Sequence, residues 1–157
     1  MKVTFVVNGV ERRADPSPGT SLMDVLRGLG VTSVKNGCDN GDCGSCAVLL
    51  NGRAVNACLV FAARCGGAEI TTLEGMASEG ALHALQASML ETGAVQCGFC
   101  TPGIVMTAAD LLGRIPSPTD RQIDEAMAGN FCRCTGYTKP RQAIQAAAEM
   151  LKEASGD

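Results

Sequence analysis

Nine cysteines constrain this 157-residue chain more than any other feature. Lys2 leads directly into strand-like sequence, so we expect no secretory signal, and clustered thiols in a reducing compartment are more often metal ligands than disulfide partners. An odd number also leaves one thiol alone under full disulfide pairing. The spacing of the cysteines therefore decides which kind of site they predict.

The first set of cysteines has the spacing C-x4-C-x2-C, with a fourth member on a predicted strand further along. Its members are Cys38, Cys43, Cys46 and Cys58. This is the arrangement of plant-type [2Fe-2S] ferredoxins. Gly37, Gly41 and Gly44 interleave with the cysteines, and glycine permits the tight loop that must wrap a cluster. A structural zinc site, the alternative, usually shows two C-x2-C pairs and fits this set poorly.

The second set combines a C-x2-C pair and a C-x-C pair, both at the ends of predicted helices. Its members are Cys97, Cys100, Cys132 and Cys134. Helix N-termini favour thiolates, so a charged cluster can be held between helices. Spacing alone leaves zinc and a redox disulfide between Cys97 and Cys100 open as alternatives. Next to an iron–sulfur set, four such thiolates favour a second iron–sulfur centre.

The first half of the chain reads as strands around one helix. Strands are predicted at 2–7 and 10–13 around an Asn-Gly turn, and at 47–50 and 53–57 around another. Residues 70–72 are expected to add an edge strand. Leucine and valine at 22, 25, 26 and 29 form the apolar stripe of a short helix, for which Ser21 and Asp24 resemble a capping box. These elements predict a small α+β sheet domain.

The second half changes to helical periodicity. Four helices are expected. One lies around 82–89, and the second is capped by Thr101, has Pro102 at its first helical position and runs to residue 112. The third is opened by the Thr119/Gln122 capping box and the last by Pro140. They predict a small bundle. Strand periodicity gives way to linker sequence between residues 72 and 80, so we place domains at 1–75 and 76–157. An interaction bundle alone would leave the cysteines unexplained.

Composition excludes several classes of function. The net charge is -3 and aromatic residues make up 3%, which argues against nucleic-acid binding. No apolar run is long enough to span a membrane, and no G-x-G-x-x-G or P-loop motif is present. We therefore expect a soluble, cytoplasmic chain that supplies redox centres, without catalytic residues of its own.

Three long motifs make the chain recognisable. Segments 35–46 (KNGCDNGDCGSC), 96–103 (QCGFCTPG) and 130–137 (NFCRCTGY) closely resemble the small iron–sulfur subunit of the xanthine dehydrogenase, or molybdenum hydroxylase, family. The resemblance covers nearly the whole chain in the right order. Lys139-Pro140 departs from the aliphatic residue of many relatives, but it touches no ligand position.

The resemblance implies an α+β fold, with an N-terminal plant-type ferredoxin-like (β-grasp) domain and a four-helix-bundle domain that each hold one [2Fe-2S] cluster. It also implies that Gln96 and Cys134 approach the molybdopterin of a large partner subunit. Electrons would pass from that pterin through the helical-domain cluster and the ferredoxin-domain cluster to FAD, often in a third subunit, or to another acceptor. The rivals are a free-standing ferredoxin-like shuttle, which has no use for the helical half, and a zinc-stabilised interaction protein.

A few remaining residues receive simpler interpretations. Cys65 belongs to neither set and is expected to be a free thiol in or beside a turn. His83, the single histidine, is expected at a helix surface or an interface. Because a Rieske-type centre needs two histidines on one iron, that cluster type is excluded. Phe99 and Phe131 lie beside cysteines and are expected to screen a cluster from water.

Overall fold

A five-stranded sheet and one helix form the first half of the molecule. The computed structural model describes residues 2–78 and 80–156. Its first half contains β1 (Val3–Val7), β2 (Val10–Ala14), α1 (Leu22–Gly28), β3 (Ala47–Leu50), β4 (Arg53–Asn56) and β5 (Glu69–Thr71). The strand order is β2-β1-β5-β3-β4, with β1 and β5 parallel and all other neighbours antiparallel. The predicted α+β class is confirmed.

The shortest strand corrects one sequence expectation. Residues 70–72 were expected at an edge, but β5 lies in the middle of the sheet between β1 and β3. Ile70 is fully buried, and the segment bonds to both neighbours through Ala68 and Glu69, which accept from Val6 and Asn51. Three residues carry too little pattern to encode their neighbours, which are chosen by tertiary packing.

The described residues of the second half, 80–156, form four α-helices, as predicted. They are α2 (Ala84–Glu91), α3 (Thr101–Arg114), α4 (Asp120–Met127) and α5 (Thr138–Ser155). The N-cap of α3 is Cys100 rather than Thr101, and α5 begins two residues before Pro140, which a first helical turn tolerates. The capping box of Thr119 and Gln122 is present at α4.

His83 caps a helix rather than lying on its surface. Its Nδ1 accepts from the backbone N–H of Leu85, and the side chain of Gln86 accepts from the backbone N–H of His83. The pair forms a capping box at the start of α2, with histidine in the place that Ser, Thr, Asp or Asn usually takes. Burial lowers the pKa of His83, which keeps the ring neutral and able to accept.

The two halves have separate hydrophobic cores and one shared interface. Phe5, Leu22 and Ile70 belong to the core of the sheet half, whereas the core of the helical half is built around residues such as Ile104 and Ile144. Helix α3 packs across β3 and β4. This packing brings the start of α3 and the loop after α4 beside the cysteine loop that precedes β3.

Candidate metal centres

The first cysteine set lies on one long loop and a turn of the sheet half. Three of its members precede β3. Cys58 was expected on a strand, but β4 ends at Asn56 and Cys58 lies in the 3-10 turn Ala57–Leu59 that follows it. The backbone N–H of Cys43 donates to the sulfur of Cys38 at 3.3 Å. Hydrogen bonds from the backbone of Asn40, followed by those of Cys43 and Asp42, outweigh burial and lower the pKa of Cys38 to about 7. The loop thus favours a thiolate, which is the form that binds iron.

Cys58, in the deeper part of this set, behaves in the opposite way. Burial, reinforced by a hydrogen bond with the thiol of Cys46, raises the pKa of Cys58 to about 12. The Cys58 thiol therefore stays protonated at neutral pH in this environment. Because a cysteine binds metal as the thiolate, metal binding would release this proton.

The second cysteine set lies at helix ends in the other half. Cys97 and Cys100 precede α3, and Cys132 and Cys134 lie between α4 and α5. The sulfur atoms of Cys97 and Cys134 are 3.7 Å apart, and both residues are exposed. Burial, with a hydrogen bond to the thiol of Cys132, raises the pKa of Cys100 to about 12. The set thus has an outer, exposed pair and an inner, partly covered pair.

Within each set the thiols form two hydrogen-bonded pairs, and charge interactions link one pair to the other. The pairs are Cys38 with Cys43, Cys46 with Cys58, Cys97 with Cys134, and Cys100 with Cys132. Within residues 2–78 and 80–156, no three His, Cys, Asp or Glu side chains converge as ligands of a single metal ion. Two sulfurs at about 2.3 Å from one tetrahedral metal lie about 3.8 Å apart, close to the separation of Cys97 and Cys134.

This pairing fits a cluster of two irons. A [2Fe-2S] cluster takes four cysteines, two on each iron, whereas a structural zinc ion needs all four around one point. The two sets therefore suit binuclear clusters, and the zinc alternative is disfavoured for both.

Two residues beside the second set were not given a role from the sequence. The hydroxyl of Thr135 donates to the sulfur of Cys132 at 3.1 Å, and the Tyr137 hydroxyl accepts from the backbone N–H of Cys132 at 2.9 Å. Burial opposes ionisation of Cys132, but the hydrogen bonds, led by that of Thr135, lower its pKa. Tyr137 has a φ of 68°, in the left-handed region that tyrosine rarely adopts. The motif NFCRCTGY does not predict this conformation.

The other predicted residues divide into exposed and buried ones. Gln96 lies exposed next to the outer pair. Phe99 and Phe131 are 46% and 58% exposed, so in this chain alone they do not seal a cluster from water as expected. They line a cavity of about 520 Å³ that borders Cys43 of the first set and all four cysteines of the second.

Cys65 lies beside a 3-10 turn as expected, is buried in the sheet core, and has its pKa raised by that burial.

Two protein-family models match the two halves. The 2Fe-2S iron-sulfur cluster binding domain matches residues 5–64, and the [2Fe-2S] binding domain matches residues 72–145. No helix in the described parts of the chain is both long and apolar enough to cross a membrane.

Two curated proteins are similar over nearly their whole length. The chain is 48% identical to the nicotinate dehydrogenase small FeS subunit of Eubacterium barkeri, covering 94% of each chain. It is 47% identical to the xanthine dehydrogenase iron-sulfur-binding subunit of Escherichia coli O157:H7, covering 86% of each.

Solved structures show the same fold. A chain of quinoline 2-oxidoreductase from Pseudomonas putida 86 matches with a TM-score of 0.93 and 40% identity, covering 98% of this chain and 96% of that one. The aldehyde oxidoreductase of Desulfovibrio desulfuricans matches with a TM-score of 0.92 and 42% identity, but this chain spans only 17% of it.

Proposed function

The chain belongs to the family of small iron–sulfur subunits of xanthine dehydrogenase-type molybdenum hydroxylases, and we propose that it carries electrons between a molybdopterin centre in a large partner subunit and FAD or another acceptor. Each of its two [2Fe-2S] clusters, when bound, supplies a one-electron redox station. The observation that carries the proposal is the presence of two separate groups of four cysteines, each arranged as two pairs.

We assign the ligands of the clusters by these groups. The first cluster would be held by Cys38, Cys43, Cys46 and Cys58, and the second by Cys97, Cys100, Cys132 and Cys134. The sulfur contacts within each group support this assignment, and Thr135 would donate a hydrogen bond to one ligand sulfur. Cys65 is left out because its buried side chain belongs to the sheet core.

The exposure of the second set suggests how the chain is oriented towards its partner. Gln96, Cys97 and Cys134 are exposed together, so the outer pair is accessible to another subunit. The inner pair lies nearer the loop of the first set, since Phe131, next to Cys132, bonds to that loop. We therefore propose that Gln96 and Cys134 face the molybdopterin and that the sheet half faces the acceptor.

The relatives support further proposals about the partners of this chain. The aldehyde oxidoreductase of Desulfovibrio desulfuricans carries a matching segment within a much longer chain, which supports a large partner for this one. We also propose an FAD-binding subunit, a heteromeric assembly, a domain boundary after Gly75, and a cytoplasmic location, where thiols stay reduced for iron. A free-standing shuttle is disfavoured because the helical half holds the second cysteine set.

The test is low-temperature EPR of the dithionite-reduced protein, purified without oxygen and with its companion chains, together with iron, sulfide, zinc and molybdenum analysis. We expect two distinct [2Fe-2S] signals, about four irons per chain, and molybdenum in a larger companion. Cys134→Ser should alter one signal only, and the matched control Cys65→Ala should alter neither. One signal in the unaltered protein would favour the shuttle, and zinc without sulfide would overturn the proposal.

A further inference from the structure

Two consecutive residues of one cysteine loop bind two consecutive carbonyls of the other. The backbone N–H of Phe131 donates to the carbonyl of Cys43 at 2.9 Å. The side-chain amide of Asn130 donates to the carbonyl of Gly44 at 3.2 Å. Contact at two successive positions fixes both the distance and the register between the loops.

Asn130 is well placed to hold this contact. It is 4% exposed, and its own backbone N–H donates to the carbonyl of Met127 at the end of α4. The helix therefore fixes the backbone of Asn130, and the side-chain amide reaches a residue 86 positions earlier in the chain. The buried carbonyl of Gly44 also accepts from the backbone N–H of Ala47 at 3.1 Å, within the sheet half. The amide of Asn130 is thus its second donor, and it is the one that comes from the other half of the chain.

The approach of the loops leaves no room for side chains at two positions. A Cβ at Gly44 would lie closer than 3.0 Å to the carbonyl oxygen of Gly129 and the amide nitrogen of Asn130. A Cβ at Gly103, near the start of α3, would lie closer than 3.0 Å to the carbonyl oxygen of Gly44. The first loop is thus held between α3 and the loop that follows α4.

This close contact is not needed to assemble either set of thiols. All members of the first set come from residues 38–58 and all members of the second from residues 97–134. What the contact does determine is where one set lies relative to the other. From Cys132 to Cys43 the path runs along the backbone of Phe131 and then across its hydrogen bond to the carbonyl of Cys43. The path is short and has a single non-covalent step.

We propose that Asn130 is a positioning residue for electron transfer between the two clusters. By holding the carbonyl of Gly44, it keeps the hydrogen bond from Phe131 to Cys43 formed and fixes the separation of the clusters. A single electron then moves from the reduced site to the oxidised one, with no bond made or broken. Tunnelling rates fall steeply with distance and with gaps in the covalent path, so loosening the contact slows this step. The inference rests on the proposed ligand assignment.

The experiment compares Asn130→Ala with the matched control Asn56→Ala in the assembled complex. The side-chain amide of Asn56 donates to the carbonyl of Gly41 at 2.8 Å, in the same cysteine loop but within the sheet half. Both variants lose an amide-to-glycine bond, and only one of these bonds joins the halves. The readouts are iron and sulfide content, and the splitting of the EPR signals that arises when both clusters are reduced and their spins interact.

We expect Asn130→Ala to keep both signals at full iron content but to lose the splitting, while Asn56→Ala keeps it. Unchanged splitting in Asn130→Ala, or absence of splitting in the unaltered protein, would overturn this inference and leave the proposed function intact. Absence of two [2Fe-2S] signals in the unaltered protein would overturn the proposed function itself. If Asn130→Ala loses iron, Gly103→Ala takes its place, because a Cβ at Gly103 displaces the carbonyl of Gly44 from the side of α3. Loss of the splitting in Gly103→Ala would support the inference, and unchanged splitting would overturn it.

Discussion

The contact between Gly103 and the first cysteine loop predicts opposite effects for two identical substitutions on one helix. Gly103 and Gly113 both lie in α3, near its start and its end. A Cβ at Gly103 would meet backbone atoms of Gly44 and Ser45, whereas a Cβ at Gly113 meets nothing within 4 Å. Alanine is favoured over glycine in a helix by about 0.5–1 kcal/mol. Gly113→Ala should therefore stabilise the protein by up to that amount.

Gly103→Ala adds a steric cost that exceeds the helical gain. Overpacking costs about 1–3 kcal/mol, and rigid backbone neighbours place this site in the upper part of that range. After the gain in helix propensity is subtracted, we expect a net loss of about 1–2 kcal/mol. The assay is the denaturant midpoint of the full chain under anaerobic conditions, followed by far-ultraviolet circular dichroism. Stabilisation of Gly103→Ala to the same degree as Gly113→Ala would refute the close contact.

Two further predictions concern the cap of α2 and the ion pair between the halves. Burial lowers the pKa of His83 in the folded state below the ordinary value of about 6.5, which the unfolded chain keeps. Stability should therefore fall by about 1 kcal/mol as the pH drops from about 6.5 through the lowered pKa, where the ring is protonated and the cap is lost. His83→Asn should abolish this drop in a pH series of denaturation midpoints. Asp110, which is 9% exposed, pairs with Arg53 of β4 at 2.9 Å and with Arg114 of α3 at 3.0 Å. Because both guanidinium groups are partly exposed, a double-mutant cycle should give each pair about 1 kcal/mol. Removing the side chain of Arg53 should weaken the docking of the two halves, measured by the rate of proteolysis between them. Removing the side chain of Arg114 should leave this rate unchanged.

The parts of the molecule that could be predicted from sequence are those encoded locally. The cysteine spacings, the Asn-Gly turns and the cap of α4 each depend on residues a few positions apart, and the fold class and the four helices followed from them. The central position of β5 could not be predicted because it depends on β1 and β3, which lie far away in the chain. The role of His83 was missed because histidine is an uncommon N-cap, although Gln86 at the third helical position was a usable signal.

Asn130 was missed for a different physical reason. It is the first residue of the motif NFCRCTGY, yet its partner lies in the other half of the chain and no periodicity connects the two. The same holds for Gly44 and Gly103, whose close approach becomes visible only when the halves are docked. Local pattern thus identifies which residues can hold metal, and it does not identify the residues that set the distance between two metal sites.

The two halves depend on one another through contacts that do not involve the cysteines. Four cysteines within each half can hold that half around its own cluster, but they place no constraint on the neighbouring one. The constraint comes from polar and steric contacts that involve no ligand side chain, namely Asp110 with Arg53, Asn130 with Gly44, and the missing side chain of Gly103. Substitutions at these positions should therefore leave both clusters in place while changing their communication, whereas cysteine substitutions should remove one cluster.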